Sequence, residues 1–205
     1  LGDRACLGME FVESKNPSPR EMQKLGEQLA QMHTASSESF GFRSTNFIGS
    51  LTQSNKQNSS WVSFYVKERL KPQFQMAVSK KLMHVREVPE NRDMIDALSP
   101  YLNKVTPALL HGDLWGGNYL ISSSGEPYLI DPAVYYGDPV VDIAMTRLFG
   151  GFSADFYQAY DTNNKFHDYE EDKIRIYQLY YLLVHLNSFG NSYYLSVKRI
   201  MDVYF

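Results

Sequence analysis

Apolar residues recur at helical spacing through most of the chain, with polar residues between them. The clearest example follows Ser18-Pro19-Arg20-Glu21, a capping-box pattern with proline at the first helical position. This pattern predicts a helix that ends near His33, and one face of it carries Met22, Leu25, Leu29 and Met32. Because His33 closes that apolar face, a packed or hydrogen-bonded structural role is favoured over a catalytic one.

Two later segments show the same period. A helical region begins near Trp61 and is interrupted around Pro72, because proline removes a backbone donor from a helix interior. Another helix is predicted after Asp138, a common N-cap residue, which is followed by Pro139. The apolar positions of that helix are Val141, Ala144, Met145 and Leu148.

The rest of the chain adds shorter or less regular elements. Residues 170–189 and 193–203 are predicted to form two closing helices, and a short helix is expected around Met94. Residues 36–60 are rich in serine, asparagine and glutamine, so they are predicted to form a loop. Most of the chain is therefore predicted to be helix or loop.

Two short apolar runs, Tyr119-Leu120-Ile121 and Tyr128-Leu129-Ile130, interrupt this helical pattern. The polar stretch Ser122-Ser123-Ser124-Gly125-Glu126 between them is typical of a turn, so the two runs are predicted to pair as a β-hairpin. The fold class predicted from these patterns is α+β, mainly α-helical with one small β-hairpin.

Composition limits the classes of function. The 205 residues are 43% hydrophobic, which suits a buried core in one domain or two small lobes. A formal net charge of −3 gives no basic footprint, so neither nucleic acid nor a membrane is expected as a partner. The single cysteine, Cys6, excludes an internal disulfide and fits a reducing cytoplasm, which is the predicted location. No apolar stretch approaches the length of a membrane span.

The predicted hairpin places two oxygen-bearing side chains at one end. Asn118 precedes its first strand and Asp131 follows its second, and facing positions in such a pair lie about 4.5–5.5 Å apart at Cβ. Magnesium prefers oxygen ligands and usually keeps water or substrate phosphate in its remaining positions, so two protein ligands are sufficient. The sequence therefore predicts Asn118 and Asp131 as magnesium ligands.

Asp113 precedes the same hairpin in a glycine-containing loop. Its separation from Asn118 matches the kinase pattern H-R-D-x-x-x-x-N, whose aspartate accepts the proton of the attacking hydroxyl. Gly112 replaces the arginine of that pattern, and Asp131 is followed by Pro132 rather than by Phe-Gly. In protein kinases that arginine commonly binds a phosphate on the activation loop. Its absence therefore favours a small-molecule kinase in which Asp113 is the catalytic residue.

With these motifs the chain resembles the fructosamine kinase (ketosamine 3-kinase) family, a relative of the aminoglycoside and choline kinases. The resemblance rests on His111-Gly112-Asp113 with Asn118 and Asp131, and more narrowly on Leu114-Trp115 within the loop. Other matching segments run from the early part of the chain almost to its end: Trp61, Phe64, Glu68-Arg69-Leu70, Pro72-Gln73, Ala133 to Tyr136 with Gly137, Phe149-Gly150-Gly151-Phe152, His185-Leu186-Asn187 and Phe189-Gly190.

The resemblance implies an ATP-dependent kinase that uses Mg²⁺, in which the 3-hydroxyl of a sugar attached to an amine attacks the γ-phosphate. The implied substrate is a small-molecule ketosamine or a glycated protein lysine, and the reaction would reverse glycation. The implied fold is a kinase-like C-terminal lobe over residues 14–205, preceded by the last strand and the hinge of an N-terminal lobe over residues 1–13. Since no glycine-rich loop or strand lysine of such a lobe is present, the chain is expected to be a fragment that binds nucleotide weakly alone.

The resemblance also implies roles for individual residues. The backbone of the hinge would hydrogen-bond adenine through Met9, Glu10, Phe11 and Val12. His111 would brace the catalytic loop through its ring hydrogen bonds. Asp142 would tie that loop down, although an acid in the first turn of a helix is also favoured by the helix dipole alone.

Trp115 and Tyr135 are predicted to contact the substrate. Trp115 stands two residues after the proposed base, so a sugar ring or an amine would rest against its aromatic face. The competing role for Trp115 is an indole that only holds the loop. Tyr135 and Tyr136 follow the metal acid and would line the same cleft. His185 and Asn187 would either flank the acceptor pocket or pack in the core.

Three other functions stay open on the sequence alone. One is another small-molecule kinase of this fold, acting on an aminoglycoside, choline or homoserine. The second is a non-catalytic binding or regulatory protein, although the intact set of Asp113, Asn118 and Asp131 argues against it. The third is a metal-dependent hydrolase, which is weakened because no second cluster of acids or histidines is evident.

Overall fold

The computed structural model describes residues 8–163 and 171–205 of the chain, and helices dominate these residues. The α-helices are α1 (Pro19–Met32), α2 (Trp61–Phe64), α3 (Lys71–Ser79), α4 (Asn91–Leu102), α5 (Val140–Phe149), α6 (Ala154–Asn163), α7 (Glu171–Phe189) and α8 (Tyr194–Tyr204). A π-helical turn joins α2 to α3 over Tyr65–Leu70, and short 3-10 turns occupy Val85–Glu87 and Asn191–Tyr193. The predicted fold class, α+β and mainly α-helical, is confirmed.

Short strands form small antiparallel sheets. The strands are β1 (Ser14–Lys15), β2 (Asn46–Ile48), β3 (Leu51–Gln53), β4 (Ala108–Leu110), β5 (Tyr119–Ser122), β6 (Pro127–Leu129) and β7 (Tyr135–Gly137). Strand β5 pairs with β1 on one side and β6 on the other, while β2 pairs with β3 and β4 with β7. The predicted hairpin is β5–β6, with Tyr119 facing Leu129.

The core surrounds α7, whose side chains are buried on nearly every face, as expected of a helix that other elements enclose. Helix α5 packs beside it with a run of buried residues from Val140 to Thr146. The hydrogen bond from the hydroxyl of Tyr181 in α7 to the carbonyl of Gly112 ties this core to the loop before β5. Two central helices therefore support the segment that carries the candidate chemistry.

Helix α1 begins as its sequence predicts. The backbone N–H of Ser18 donates to the carboxylate of Glu21 at 2.7 Å, and Pro19 is the first helical residue. Its side chains at Met22, Leu25 and Leu29 are buried. At α5, the side chain of Asp138 accepts the Val140 N–H at 3.0 Å, although the helix proper begins at Val140.

The predicted interruption at Pro72 is wrong. Helix α3 starts at Lys71, so Pro72 lies in its first turn, where a missing backbone N–H is tolerated. The irregularity lies just before it, in the π-helical turn Tyr65–Leu70. Helical structure therefore runs from Trp61 to Ser79 with a change of hydrogen-bonding pattern rather than a break.

Several elements differ from their predicted bounds or were not predicted. The region 36–60 contains the β2–β3 pair, and α6 had no sequence prediction. Strands of two or three residues are too short to show an alternating pattern, which explains why β1, β4 and β7 were missed. Of the predicted helix over residues 170–189, residue 170 lies outside the described residues, and α7 covers Glu171–Phe189.

The start of the described chain leads directly onto the hairpin. Residues 1–7, which include most of the predicted last strand of an N-terminal lobe, lie outside the described residues, and residues 8–13 have no regular secondary structure. Strand β1 then pairs with β5, and the Ser123 N–H donates to the Glu13 carbonyl at 2.8 Å. Within the described ranges, no helix combines the length and the apolar character needed to cross a membrane.

Candidate active site

The candidate catalytic loop connects β4 to β5 and begins with a sharp bend at Gly112. Gly112 has a φ of 82°, and a Cβ atom there would lie 2.2 Å from the carbonyl oxygen of Ala133. The backbone of the loop therefore crosses that of the segment after Asp131 at a distance that excludes any side chain. The Ala133 N–H also donates to the His111 carbonyl at 2.8 Å, which joins the two segments directly.

A buried carboxylate holds this bend through hydrogen bonds to its backbone. Asp142, completely buried in the first turn of α5, accepts the N–H groups of His111 and Gly112, each at 2.8 Å. Burial acts to raise the pKa of Asp142, but hydrogen bonding and electrostatic interaction with His33, electrostatic interaction with His111 and the Gly112 N–H outweigh it, and the pKa is lowered. Asp142 is therefore an anionic anchor for the loop, the position that the sequence assigned to it.

The ring of His111 braces the loop in the manner expected. Its Nδ1 lies 3.2 Å from the Asp113 N–H, and its Nε2 lies 2.9 Å from the Ile130 carbonyl. A backbone N–H can only donate and a carbonyl can only accept, so in this arrangement Nδ1 accepts from Asp113 and Nε2 donates to Ile130. His111 thus links the backbone of Asp113 to the end of the hairpin instead of offering a proton to substrate.

Asp113 directly follows the bend at Gly112, and its side chain is partly exposed. Burial raises the pKa of its carboxyl group to about 6, with smaller upward contributions from the negative charges of Asp142 and Asp131, while His111 and Asn118 act in the opposite direction. A carboxylate with a pKa in that range is a better proton acceptor than an ordinary aspartate. The side-chain amide of Asn118 donates to the Asp113 carbonyl at 2.7 Å and to its Oδ2 at 3.3 Å.

Asn118 and Asp131 lie at the same end of the hairpin, but they are not directly opposite each other. The Ile130 N–H donates to the Asn118 carbonyl at 3.0 Å, so Ile130 faces Asn118 and Asp131 comes one residue later. Asp131 has a φ of 51°, a left-handed conformation that turns the chain at this point. The direct pairing assumed from the sequence is therefore corrected by one position.

The donor set suits magnesium. The side-chain NH₂ group of Asn118 donates to Asp113, which leaves the side-chain oxygen Oδ1 for a cation. The Asp131 carboxylate is exposed. In the described part of the chain, that carboxylate makes no hydrogen bond or ion pair, and no group of three or more His, Cys, Asp or Glu side chains could hold a metal ion. One amide and one carboxylate oxygen fit a hard cation that shares its shell with substrate phosphate.

The other sequence-predicted residues fall into two groups. Met9, Glu10, Phe11 and Val12 lie just before β1, at the edge of the sheet that contains the hairpin, and Met9 and Phe11 are strongly exposed. Trp115 keeps 43% of its surface exposed, and its indole covers Gly117 so closely that a Cβ there would lie 2.3 Å from the ring. These residues therefore remain accessible to a ligand.

Tyr135 is not accessible, which corrects its predicted contact with substrate. Its side chain is fully buried, and the Arg69 guanidinium lies 3.9 Å from the centre of its ring. Residues after the metal acid enter β7 and the core instead of lining a cleft, because β7 pairs with the buried strand β4. Of the two residues with alternative roles, Asn187 is buried and its side-chain NH₂ donates to the side chain of Gln73. The ring of His185 is only partly buried, and its centre lies 4.5 Å from the centre of the Phe149 ring.

Two contributors to the site had no recognised signal in the sequence. The side-chain amide of Gln53 donates to the Ala133 carbonyl at 3.1 Å, and the Tyr181 hydroxyl donates to the Gly112 carbonyl at 2.9 Å. Both hold the two crossing segments from parts of the chain that are distant in sequence. Gln53 is a buried amide at the end of a short strand, which is the feature that would have singled it out.

Comparison with known proteins identifies the family of this chain. The sequence profile of the family described as fructosamine kinase matches residues 1–205. An Enterococcus faecium protein described as a probable ketoamine kinase is 39% identical over 202 residues, which are 97% of this chain and 71% of that protein. The mouse protein named ketosamine-3-kinase is 38% identical over 181 residues, which are 87% of this chain and 57% of the mouse protein.

A solved structure gives the same result. A Thermobifida fusca protein described as a fructosamine-3-kinase superposes with a TM-score of 0.85 at 32% identity, covering 95% of this chain and 68% of that structure. The chain thus spans between 57% and 71% of the lengths of these relatives. Profile, sequence and structure all identify one group, and the chain belongs to the fructosamine kinase family.

Proposed function

We propose that the protein transfers the γ-phosphate of ATP to the 3-hydroxyl of a ketosamine. The observation that carries this proposal is the placement of Asp113, whose carboxylate has a raised pKa and whose backbone is fixed by His111. The name of the mouse relative, ketosamine-3-kinase, supports the choice of acceptor. The acceptor would be a free ketosamine or a glycated lysine of a protein, and the reaction would remove glycation in the cytoplasm.

In this proposal, Asp113 orients the acceptor hydroxyl and accepts its proton. The oxygen of that hydroxyl forms a new bond to the γ-phosphorus as the bond from this phosphorus to the bridging oxygen of ADP breaks. Positioning and charge stabilisation account for most of the catalysis in such a transfer. The anchoring of the loop by Asp142 and His111 supplies the positioning, because it fixes the backbone on both sides of the bend at Gly112.

Asn118 and Asp131 would hold Mg²⁺. When bound, Mg²⁺ neutralises charge on the phosphates of ATP. Asn118 has a second task, because its NH₂ group donates to the Asp113 carbonyl and carboxylate and so fixes the base relative to the metal site. This shared amide is the direct physical link between the two halves of the proposed chemistry.

Nucleotide and acceptor would contact different segments of the chain. We place adenine against the backbone of Met9, Glu10, Phe11 and Val12, since this segment leads into β1 at the edge of the hairpin sheet. In this proposal, residues 1–13 are the last strand and the hinge of a nucleotide-binding lobe, and residues 14–205 are the catalytic lobe. Trp115 would offer its exposed face to the sugar or to the amine.

The test compares substrates and variants of the full-length protein. Phosphate transfer from ATP is measured to a ribulosamine, a fructosamine, an aminoglycoside, choline and homoserine. Asp113→Ala and Asp131→Ala are expected to abolish transfer to the ketosamines, while Asp96→Ala retains it, because the Asp96 side chain is 72% exposed on α4. Turnover retained in either active-site variant contradicts the roles assigned, and transfer restricted to the other alcohols contradicts the substrate.

A further inference from the structure

One of the most deeply buried side chains in the described residues is a cation. Arg69 is 0% exposed, and no ion pair joins it to a carboxylate in the described part of the chain. Its Nη1 donates to the carbonyls of Ser54 and Glu68 at 2.6 and 2.9 Å, and its Nη2 donates to Asn55 Oδ1 at 2.7 Å. A buried charge without an opposite charge is expensive, so its presence at this position requires a physical reason.

Aromatic rings complete the environment of this guanidinium. Its central carbon lies 3.9 Å from the centre of the Tyr135 ring and 4.7 Å from that of Phe64. Contacts of this type stabilise a desolvated cation. The Tyr135 hydroxyl is buried with no hydrogen-bond partner in the described residues, so the face of the ring, not the hydroxyl, is the part that interacts.

The backbone around Arg69 is irregular. Arg69 lies in the π-helical turn Tyr65–Leu70, and turns of this kind are frequent at functional sites. The π-helical turn changes the direction of side chains relative to a regular helix. It therefore allows one residue to reach both the segment after β3 and the ring of Tyr135.

Arg69 and Gln53 hold the same stretch of chain from two sides. Gln53 ends β3 and donates to the Ala133 carbonyl, and Ser54 and Asn55 directly after it are the acceptors of Arg69. Asn46 of the neighbouring strand donates to the Val134 carbonyl at 2.8 Å. Every residue from Ala133 to Tyr135 is thus held by a polar or aromatic contact to this cluster.

This anchored stretch begins two residues after Asp131. Asp131 adopts a φ of 51°, a left-handed conformation that is unfavourable for a residue other than glycine. Its side chain is exposed and has no hydrogen bond in the described residues that would compensate. A conformation of this kind persists only where the surrounding chain determines it.

We propose that Arg69 is a positioning residue for the metal acid: through the ring of Tyr135 and the Ser54–Asn55 segment, it fixes the chain that holds Asp131 in its left-handed conformation. The role of Asp131 in this inference rests on the proposed function. With this role for Arg69, the Glu68-Arg69-Leu70 and Ala133–Tyr136 motifs, which are far apart in sequence, both support the metal acid. Tyr135 then has a structural role and not the predicted contact with substrate.

The test uses Mn²⁺ as the probe, with ADP, and the full-length protein. Arg69→Lys keeps the charge but loses the planar guanidinium and its simultaneous hydrogen bonds to Ser54 and Asn55. Tyr135→Leu removes the aromatic face. Each is expected to weaken Mn²⁺ binding, measured by electron paramagnetic resonance, by about 10-fold or more, as is usual for a lost supporting contact at a metal site. Each is also expected to speed amide hydrogen exchange in the peptide over residues 127–137.

Two comparison variants separate positioning from general destabilisation. Tyr135→Phe keeps the ring and is expected to bind Mn²⁺ within about twofold of wild type, because only an unpartnered hydroxyl is lost. Val197→Ala creates a cavity in α8, where the side chain is 0% exposed, and is expected to lower the melting temperature without changing Mn²⁺ binding.

The outcomes distinguish this inference from the proposed function. Mn²⁺ binding unchanged in both Arg69→Lys and Tyr135→Leu, or weakened equally in Val197→Ala, overturns the positioning role. Weakened Mn²⁺ binding and faster exchange confined to Arg69→Lys and Tyr135→Leu support it. Failure of the wild-type protein to phosphorylate any ketosamine would refute the proposed function, and the binding and exchange results would still decide the role of Arg69.

Discussion

Nε2 of His33 lies 3.1 Å from Oδ2 of Asp142, and both side chains are 0% exposed. The other ring nitrogen of His33 lies 2.7 Å from the hydroxyl of Tyr160 in α6. Since Asp142 also accepts the two backbone N–H groups at the bend of the catalytic loop, one carboxylate connects the end of α1 with the active site. The arrangement explains why a histidine closes the apolar face of α1.

Asp142→Asn is expected to destabilise the protein and to reduce turnover. Both oxygens of the carboxylate accept a loop N–H, whereas an asparagine has one acceptor oxygen and would present a donor to the other N–H. Loss of a buried hydrogen bond to a charged group costs about 1.5–3 kcal/mol. The change in unfolding free energy is measured by urea denaturation.

Asp96→Asn serves as the control for this variant, since its carboxylate is 72% exposed and pairs with Arg92 on the same helix. It is expected to unfold at the wild-type urea concentration. An Asp142→Asn protein that unfolds like wild type and turns over at the same rate would show that Asp142 does not anchor the loop.

Gly112→Ala is expected to lower stability and to abolish activity. A methyl group there would collide with the Ala133 carbonyl at 2.2 Å, in addition to the strain of a φ of 82°. Gly49→Ala is the matched control, because Gly49 has a φ of 54° but nothing within 4 Å of its Cβ position. The difference in melting temperature between the two variants isolates the collision, and equal losses would mean that the close crossing of the two segments is unimportant.

How far the sequence predicted this structure depends on the range of the interactions. Helix α1 and the β5–β6 hairpin follow from local signals, namely a capping box, a periodic face and a polar turn, and both are present. The register at Asp131 was wrong by one residue, because the turn pairs Ile121 with Pro127 and so sets Ile130, not Asp131, opposite Asn118.

Long-range contacts account for most of what the sequence did not predict. Gln53 and Ala133 are joined by a hydrogen bond although they are 80 residues apart in the sequence, and no local pattern signals such a pair. Tyr135 was assigned to the cleft because an aromatic residue after a metal acid has the same sequence appearance whether it faces substrate or packs on a buried arginine. The π-helical turn at Arg69 likewise has no periodic signature of its own.

Trp115→Ala is expected to raise KM for the ketosamine, with a smaller effect on kcat. The indole is 43% exposed and lies over Gly117, so its loss removes a surface for the substrate more than it removes core packing. Loss of an aromatic contact worth about 0.5–1.5 kcal/mol corresponds to a KM increase of about 2- to 13-fold. Trp115→Phe is expected to retain most of the affinity, and Phe47→Ala, at an aromatic side chain that is 62% exposed elsewhere, to leave KM unchanged.

This prediction uses steady-state kinetics at saturating ATP. Gly117→Ala provides an independent check, since a methyl group at that position must displace the indole, which lies 2.3 Å away. It should raise KM in the same direction as Trp115→Ala. If KM for the ketosamine is the same in Trp115→Ala and in wild type, the indole only supports the loop.

The rate of phosphate transfer should fall at low pH. Asp113 must be deprotonated to accept a proton, and burial raises its pKa to about 6. The logarithm of kcat/KM is therefore expected to be flat above about pH 7 and to fall with a slope near one per pH unit below about pH 6. Because a nearby cation favours the charged form of a carboxylate, the inflection should shift to lower pH as the Mg²⁺ concentration rises. A profile that is flat down to pH 4.5 would contradict the assignment of Asp113 as the base.

The same ionisation affects stability, and Asp113→Asn isolates it. The folded-state pKa of about 6 lies above the ordinary value of 3.8, so folding favours the protonated form. The contribution of Asp113 to stability therefore falls as the pH rises from about 4 through about 6, by up to about 3 kcal/mol, whereas the asparagine variant has no such titration. Asp113→Asn should be inactive yet more stable than wild type at pH 7.5, with the difference disappearing near pH 4. Urea denaturation at both pH values measures this, and a variant less stable than wild type at pH 7.5 would show that the Asp113 carboxylate contributes favourably to folding.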